Sequence, residues 1–166
     1  MRRIRAAAAA LLLALIGVMS VATASQAGDS STGKSRTLVF DVQFSPFTAI
    51  ATNNVREPNS PFSLGDEILF HDQFLLKGRP AGESIGSCVI VVLSPPALAN
   101  CTGVFRLTDG NIAVQFVAVQ GPEPRAVAVT GGTGAFRNVG GDGSLVEFGD
   151  GTGKLTLHLI GFAPRG

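Results

Sequence analysis

From residue 36 onward the sequence is a series of short runs rich in Val, Ile, Leu, Phe and Thr, separated by Gly, Pro, Asn and Asp. Such a pattern predicts β-strands joined by turns, and signals for helices are nearly absent from it. The predicted strands are Thr37–Phe44, Glu67–Leu75, Ser84–Leu93, Cys101–Leu107, Asn111–Val119, Arg125–Thr130, Gly143–Glu147 and Lys154–Ile160. Eight short strands without intervening helices indicate an all-β domain that is either a sandwich or a closed barrel.

The turns and the alternation of side chains agree with this assignment. Asp109–Gly110 lies between two strand runs and predicts a tight hairpin. In the strand that follows, Ile112, Val114 and Phe116 share one face, as expected of a strand with one buried side. By contrast, Val89–Leu93 is apolar at every position, so both of its faces should be covered. A monomeric barrel would leave one of those faces in water, and this predicts self-association.

The N-terminus has the order of segments that is typical of a secretory signal peptide. Arg2, Arg3 and Arg5 precede an unbroken apolar run, Ala6–Val18, and small residues follow. A membrane anchor is the alternative, but this run has 13 residues, whereas about 20 are needed to span a bilayer. The paired arginines suggest a twin-arginine route, although the rest of that motif is missing. We therefore predict that residues 1–27 are removed and that the protein is secreted.

Residues 28–35 are polar and rich in Ser, Gly and Thr, which predicts a flexible linker before a domain that spans residues 36–166. The formal net charge of the whole chain is +1, and three of its arginines lie in the signal peptide. The mature chain is therefore slightly acidic and has no basic stripe, so nucleic-acid binding is not expected. It also has no second long apolar run, so no membrane contact is expected after processing.

A glycine-rich segment, Gly131–Gly134, follows the predicted strand Arg125–Thr130. A phosphate-binding loop would need a following Lys-Ser/Thr pair and the start of a helix. Here Ala135–Asn138 leads into further glycines, so no helix N-terminus is expected to hold an anion. The segment instead predicts a backbone turn whose glycines adopt positive φ.

Three motifs resemble segments of the allene oxide cyclase and dirigent proteins. Thr130–Gly141, which reads T-G-G-T-G-A-F-R-N-V-G-G, resembles the dirigent segment G-G-T-G-x-F-R-x-A-x-G and the cyclase segment T-G-G-S-G-x-F. Leu64–Phe70 is similar to the cyclase stretch L-G-D-x-x-x-F, and Ile85–Val89 contains its G-x-C-V. The order and spacing agree over Thr37–Leu159. The resemblance implies an eight-stranded antiparallel β-barrel, usually trimeric, whose mostly apolar cavity opens at one end.

The resemblance also implies which residues face the cavity. In the cyclases a Glu, and an Asn two residues later, lie on the first strand, and they align with Asp41 and Gln43. A further Asn aligns with Asp72, and the Cys of G-x-C-V aligns with Cys88. Asp41, Gln43 and Asp72 differ in type from the cyclase residues. The resemblance therefore implies the barrel fold but does not by itself imply allene oxide cyclisation.

Alternation along the first strand gives Asp41 and Gln43 a common face, opposite to a continuous apolar face. We predict that this polar face points into the cavity, with Asp72 and Cys88 across from it. Two poorly solvated carboxylates repel each other, which raises the pKa of at least one and allows general acid–base catalysis. Asp41 and Asp72 are therefore the predicted catalytic residues. Gln43 and Cys88 are the predicted substrate-binding residues. The alternative is that either Asp lies at the barrel rim, hydrogen-bonded or solvated.

The remaining candidates are the histidines and the cysteines. His71 and His158 do not have the Cys/His spacing of a zinc site, and we predict neither a metal nor another cofactor. An even number of cysteines in an exported chain favours a disulfide. However, a hairpin across the 94–100 loop would separate Cys88 and Cys101 by several residues along the ladder, beyond the ~7 Å Cα limit for bonding. This spacing favours two free or cavity-lining thiols.

These features lead to three hypotheses about function. The first is a barrel that binds a small apolar molecule and has isomerase or cyclase activity, as a homo-oligomer and most simply a trimer. The second is a dirigent-like protein that orients reactive intermediates without performing chemistry. The third is a secreted carrier of apolar molecules. An enzyme needs acids or bases placed in the cavity, whereas a carrier needs only an apolar lining.

Overall fold

The computed structural model describes residues 34–52, 62–119, 121 and 124–162. The predicted signal peptide and most of the predicted linker lie outside these residues, whereas Lys34 and Ser35 are already the first residues of a strand. Within the described residues, no helix has the length and the apolar character that crossing a membrane requires.

The described part of the chain forms one antiparallel sheet of nine strands. They are β1 (Lys34–Gln43), β2 (Thr48–Ile50), β3 (Glu67–Leu76), β4 (Arg79–Val92), β5 (Leu98–Leu107), β6 (Gly110–Val119), β7 (Arg125–Gly132), β8 (Gly140–Glu147) and β9 (Thr152–Phe162). All eight predicted strands are present, as β1 and as β3 to β9. The sequence pattern did not indicate β2, because this strand has three residues and all of them are exposed.

Pairing between β1 and β3 closes the sheet into a barrel. From β3 to β9 each strand pairs with its neighbours in sequence, and β1 pairs with both β9 and β3. The β1–β3 pairing runs from Asp41 opposite Leu75 to Gln43 opposite Gln73, and β2 then continues along the same edge of β3. The predicted eight-stranded antiparallel β-barrel is therefore confirmed, with β2 as an additional strand.

The apolar faces of the strands fill the barrel interior. In β1, Leu38, Phe40 and Val42 are buried while the residues between them are exposed, as the two-residue period of a strand requires. The ring of Phe74 stacks on that of Phe40 with centroids 5.3 Å apart and meets the ring of Phe105 edge to face at 5.0 Å. Phenylalanine supplies all of the aromatic packing, because the chain has no Trp or Tyr.

The glycine-rich segment turns the chain at the end of β7. Gly134 has a φ of +60° and begins a short 3-10 turn that ends at Phe136. A Cβ on Gly132 would lie 2.5 Å from the carbonyl oxygen of Phe136, so glycine is needed there for close approach of the backbone. The predicted turn is confirmed. Gly134 has the positive φ that was expected, and Gly132 has no room for a side chain.

Cys88 and Cys101 form a disulfide, so the prediction of two free thiols was wrong. The two residues are directly opposite each other in the β4–β5 ladder, with Cα atoms 4.0 Å apart. The prediction failed because β5 begins at Leu98, three residues earlier than the apolar run indicates. The earlier start shortens the connection after Val92 and shifts the register, which brings the cysteines together.

The outer face of β4 is apolar and open to solvent. Val89 and Val91 are 39% and 50% exposed, whereas Cys88 and Ile90, on the other face of the strand, are buried. A single barrel therefore leaves one apolar face of this strand in water, as the sequence analysis anticipated. Self-association through this face stays a prediction.

Candidate functional site

A cavity of about 420 Å³ occupies one end of the barrel interior. It reaches the β1–β2 connection and the β8–β9 turn, where Ser45 and Gly149 line it. Its aromatic wall consists of Phe44, Phe47, Phe70, Phe74, Phe105 and Phe116. Strand β7 begins at Arg125, which lines this cavity, and ends at Gly132. The glycine turn therefore lies at the end of β7 that is away from the site.

Asp72 presents a carboxyl group to the cavity from β3. It lies between Phe70 and Phe74 on the inward face of the strand and is 7% exposed. The Ser84 hydroxyl donates a hydrogen bond of 2.9 Å to Asp72 Oδ2, and the Ser45 backbone N–H donates one of 3.2 Å to Oδ1. These two donors hold the carboxyl group in one orientation.

The environment of Asp72 favours its neutral form. Burial is the largest influence and raises the pKa of the carboxyl group, because a charged group loses hydration there. The hydrogen bonds from Ser84 and Ser45 lower the pKa, as does the electrostatic influence of His71, while the negative charge of Glu147 adds to the increase. The balance is a raised pKa, which suits a group that donates a proton or a hydrogen bond to a bound molecule.

Arg125 and Glu147 form an ion pair in the same cavity. The Arg125 Nη1 atom contacts Glu147 Oε1, and the side chains are 14% and 40% exposed. The Nε atom of Arg125 is buried and has no hydrogen-bond partner. Asp72, Glu147 and Arg125 all line the cavity, which therefore holds two carboxyl groups and one guanidinium. The charge of Glu147 also influences the pKa of Asp72.

The sequence analysis missed Arg125 and Glu147, although the strand pattern contains a signal for both. Arg125 lies two residues before the buried Val127, and Glu147 lies two residues after Leu145, which also lines the cavity. Alternation therefore places both charged side chains on the inward face of their strands. Both residues lie at strand ends, Arg125 at the start of β7 and Glu147 at the end of β8.

The prediction that Asp41 and Gln43 face the cavity was wrong. Both are exposed on the outer surface of β1, and the Asp41 side chain is 58% exposed, with Oδ1 4.0 Å from Lys154 Nζ. The physical reason is that the barrel takes up the apolar face of β1, where Phe40 and Val42 lie. Placing that face outside and a carboxylate inside would cost free energy on both sides of the strand.

Two of the four predicted site residues are therefore brought together, Asp72 and Cys88, because both line the cavity. Cys88 does so as half of a disulfide, which makes it part of the wall and not a reactive thiol. The histidines are outside the cavity: His71 Nε2 lies 2.7 Å from Glu83 Oε2, and His158 Nδ1 lies 3.2 Å from the Thr37 hydroxyl. Among the described residues, no three His, Cys, Asp or Glu side chains are grouped as metal ligands.

Comparison with known proteins shows which solved structures share this fold. No family model matches the sequence, and no curated protein matches it. Among solved structures, a pyocyanin demethylase superposes with a TM-score of 0.66 at 23% identity, covering 75% of this chain and 100% of the other. A pterocarpan synthase dirigent protein superposes with a TM-score of 0.62 at 16% identity, covering 86% of this chain and 100% of the other.

A third similar structure is a nonspecific heme-binding cyclase that catalyses a cycloaddition in neoabyssomicin biosynthesis. Its TM-score is 0.60 at 13% identity, over 82% of this chain and 71% of the other. At such identities the similarity concerns the fold and not the reaction. The chain therefore has the closed β-barrel fold that these dirigent and cyclase proteins share.

Proposed function

We propose that this protein binds a small, mainly apolar molecule in its barrel cavity and that Asp72 acts on it as a general acid. The reaction would be an isomerisation or cyclisation, as in the allene oxide cyclases that the sequence resembles. One observation carries the proposal: a buried carboxyl group, oriented by Ser84 and Ser45, lies in the wall of a cavity of about 420 Å³ lined by phenylalanines.

The size and lining of the cavity suit such a ligand. Pockets that enclose small organic molecules commonly measure about 300–1,000 Å³ and are mostly apolar, with a few placed polar groups. Phenylalanine rings offer flat surfaces on which an unsaturated or aromatic ligand stacks. Binding would remove water from around Asp72, which strengthens its hydrogen bond to the ligand.

Two carboxyl groups in different environments provide the acid–base pair that the sequence analysis assigned to Asp41 and Asp72. Burial raises the pKa of Asp72, so we assign the role of proton donor to this residue. Glu147 is paired with Arg125 and is more exposed, so it is the group that accepts a proton or balances positive charge on the substrate. Glu147 thus takes the role that was predicted for Asp41.

The test compares Asp72→Asn with Asp41→Asn, the same change on the outer surface of the barrel. Each protein is purified from the host that produces it, and the small molecules bound to it are identified by mass spectrometry. We expect the wild type and Asp41→Asn to convert a bound compound, while Asp72→Asn retains that compound without converting it. Failure of all three proteins to retain any small molecule would contradict the proposal.

A second candidate is a carrier or dirigent-like protein without catalysis of its own. The observation that favours it is the outward position of Asp41, which removes one of the two predicted acids from the cavity. In this case Asp72 would only orient the ligand by a hydrogen bond. The same experiment separates the candidates, because a carrier would release its ligand chemically unchanged from the wild type and from both variants.

We also propose that the protein is exported and processed near residue 27. The Cys88–Cys101 disulfide supports an oxidising compartment, since such bonds persist mainly outside the cytosol. Intact-mass measurement of material collected from the medium or the periplasm should show the loss of about 24–27 N-terminal residues. A full-length mass for that material would contradict signal-peptide cleavage.

A further inference from the structure

Two glycines are neighbours on the inner face of the barrel wall. Gly86 of β4 is directly opposite Gly103 of β5, and Phe70 of β3 is directly opposite Gly86. Both glycines are on the inward faces of their strands, because Cys88 and Phe105, two residues further along β4 and β5, are buried in the interior. Phe70 is thus next to two successive positions that have no side chain.

The ring of Phe70 extends over both glycines. A Cβ on Gly103 would lie 3.2 Å from the Cζ atom of Phe70, and a Cβ on Gly86 would overlap with the same atom. Carbon atoms that touch without a bond are usually about 3.5–4.0 Å apart. The tip of the ring therefore occupies space that a side chain at either position would need.

A ring displaced from this position would move into the cavity. Phe70 lines the cavity, and side chains on the inward face of β5 point from the wall into the barrel. A methyl group on Gly103 would therefore push the ring away from the wall, towards the space that is open to a ligand. With glycine at this position, the ring stays against the wall and that space stays open.

We infer that Gly103 is a positioning residue that determines how large an apolar ligand the cavity accepts, and that it acts through the ring of Phe70. This inference rests on the proposed function, since it assumes that the cavity holds a small molecule. It adds a basis for selection: the apolar part of the ligand is discriminated by its size at the β4–β5 wall, independently of its hydrogen bond to Asp72.

Binding of three probes with the same hydroxymethyl group and an increasing number of fused rings tests this assignment: benzyl alcohol, 2-naphthalenemethanol and 2-anthracenemethanol. The test variant is Gly103→Ala, since a Cβ on Gly86 would also overlap with the carbonyl oxygen of Thr102. Gly140→Ala is the matched control. Gly140 is likewise a strand glycine, it does not line the cavity, and the nearest atom to its Cβ would be Ile160 Cγ1 at 3.9 Å.

We expect the ratio of the affinity for 2-anthracenemethanol to that for benzyl alcohol to fall by about tenfold in Gly103→Ala, as for a pocket that loses room for one methylene group. The ratio should be unchanged in Gly140→Ala. Adding Phe70→Leu to Gly103→Ala should restore it, because leucine is shorter and leaves room for the new methyl group. An unchanged ratio in Gly103→Ala, or a loss that Phe70→Leu does not reverse, would overturn the inference while leaving the proposed function intact.

A second measurement needs no probe. Crystal structures of the wild type and of Gly103→Ala should differ in the position of the Phe70 ring, which in the variant should be further from β5 and should leave a smaller cavity. A ring that stays in place would contradict the role of Gly103. If none of the three probes binds the wild type, the proposed cavity function fails, and selection by size fails with it whatever the position of the ring.

Discussion

Asp72 and Ser84 are direct partners in the β3–β4 ladder, and the hydroxyl of Ser84 donates a hydrogen bond of 2.9 Å to the carboxyl group of Asp72 inside the barrel. This bond favours the ionised carboxylate, whereas burial favours the neutral acid and outweighs it. The pair therefore holds an acid whose affinity for a proton exceeds that of an exposed carboxyl group. Two predictions about stability depend on this balance.

Replacing Asp72 with Asn should stabilise the protein at neutral pH relative to the wild type. The pKa of Asp72 is higher in the folded than in the unfolded chain. The contribution of its neutral carboxyl group to the free energy of unfolding is therefore complete below the ordinary pKa of 3.8 and is lost as the pH rises through the raised folded pKa. Asn does not ionise, and it can still accept from Ser45 and donate to Ser84. Urea unfolding at several pH values between mildly acidic and neutral should show the relative stability of Asp72→Asn increasing with pH. Asp41→Asn serves as the exposed control, and a stability difference for Asp72→Asn that is constant with pH would contradict the raised pKa.

Ser84→Ala should destabilise the protein more at neutral pH than at acidic pH. The Ser84 hydroxyl stabilises the ionised carboxylate of Asp72, so its loss matters most once that group has lost its proton. A hydrogen bond to a charged group is worth about 1.5–3 kcal/mol, so the cost at neutral pH should be of that order. Ser87→Ala, a change on the outer face of the same strand, is the matched control. An equal cost for Ser84→Ala at both pH values would show that its hydrogen bond does not distinguish the two forms of Asp72.

Gly134→Ala should cost more stability than Gly78→Ala. Both glycines have positive φ, at +60° and +72°, so both substitutions introduce a similar backbone strain of about 1 kcal/mol. A Cβ at Gly134 would also lie 2.5 Å from the carbonyl oxygen of Asp109, whereas nothing lies within 4 Å of one at Gly78. Thermal unfolding of the two variants measures the difference, and affinity for a cavity ligand should be unchanged in both. Equal destabilisation would mean that the turn relaxes away from Asp109 without cost.

The protein is expected to form a trimer through the outer face of β4. Val89 and Val91 expose apolar surface there, and its burial against another copy is favourable at about 25 cal/mol per Å². Light scattering at micromolar concentration should report a trimer for the wild type and a smaller species for Val91→Lys. Ile160→Lys, a similarly exposed position on β9, should leave the assembly unchanged. A strictly monomeric wild type would contradict this prediction.

Strand and turn patterns were sufficient to predict the eight long strands of an all-β domain, and the resemblance to the cyclases and dirigent proteins added the closed barrel; only the exposed, three-residue β2 was missed. Alternation separates the two faces of a strand but does not say which one is inside. For β1 the resemblance to the cyclases placed Asp41 inside, while the hydrophobic effect places Phe40 and Val42 there. The resemblance also placed Asp72 in the cavity, and there the hydrophobic effect agrees with it, because Phe70 and Phe74 on the same face are large and apolar and line the cavity as well.

The disulfide and the Arg125–Glu147 pair depend on information that a local pattern does not contain. Whether Cys88 meets Cys101 is decided by the length of the connection between β4 and β5, and an error of three residues moves the partners several positions apart. Whether Arg125 meets Glu147 is decided by the register between β7 and β8, in which Arg125 is opposite Leu145. Long-range register is set by the packing of the whole barrel, so these contacts emerge only from the folded chain.

The closure of the barrel has a consequence for how a molecule enters it. β1 is paired with β9 along its length, from Lys34 to Gln43, but with β3 only over Asp41 to Gln43. This seam is where the barrel has the fewest backbone hydrogen bonds to break, and local opening begins where they are fewest. The chain leaves β1 at this seam towards Ser45, whose N–H group holds Asp72. A molecule that entered by parting β1 from β3 would therefore first meet the acid proposed to act on it.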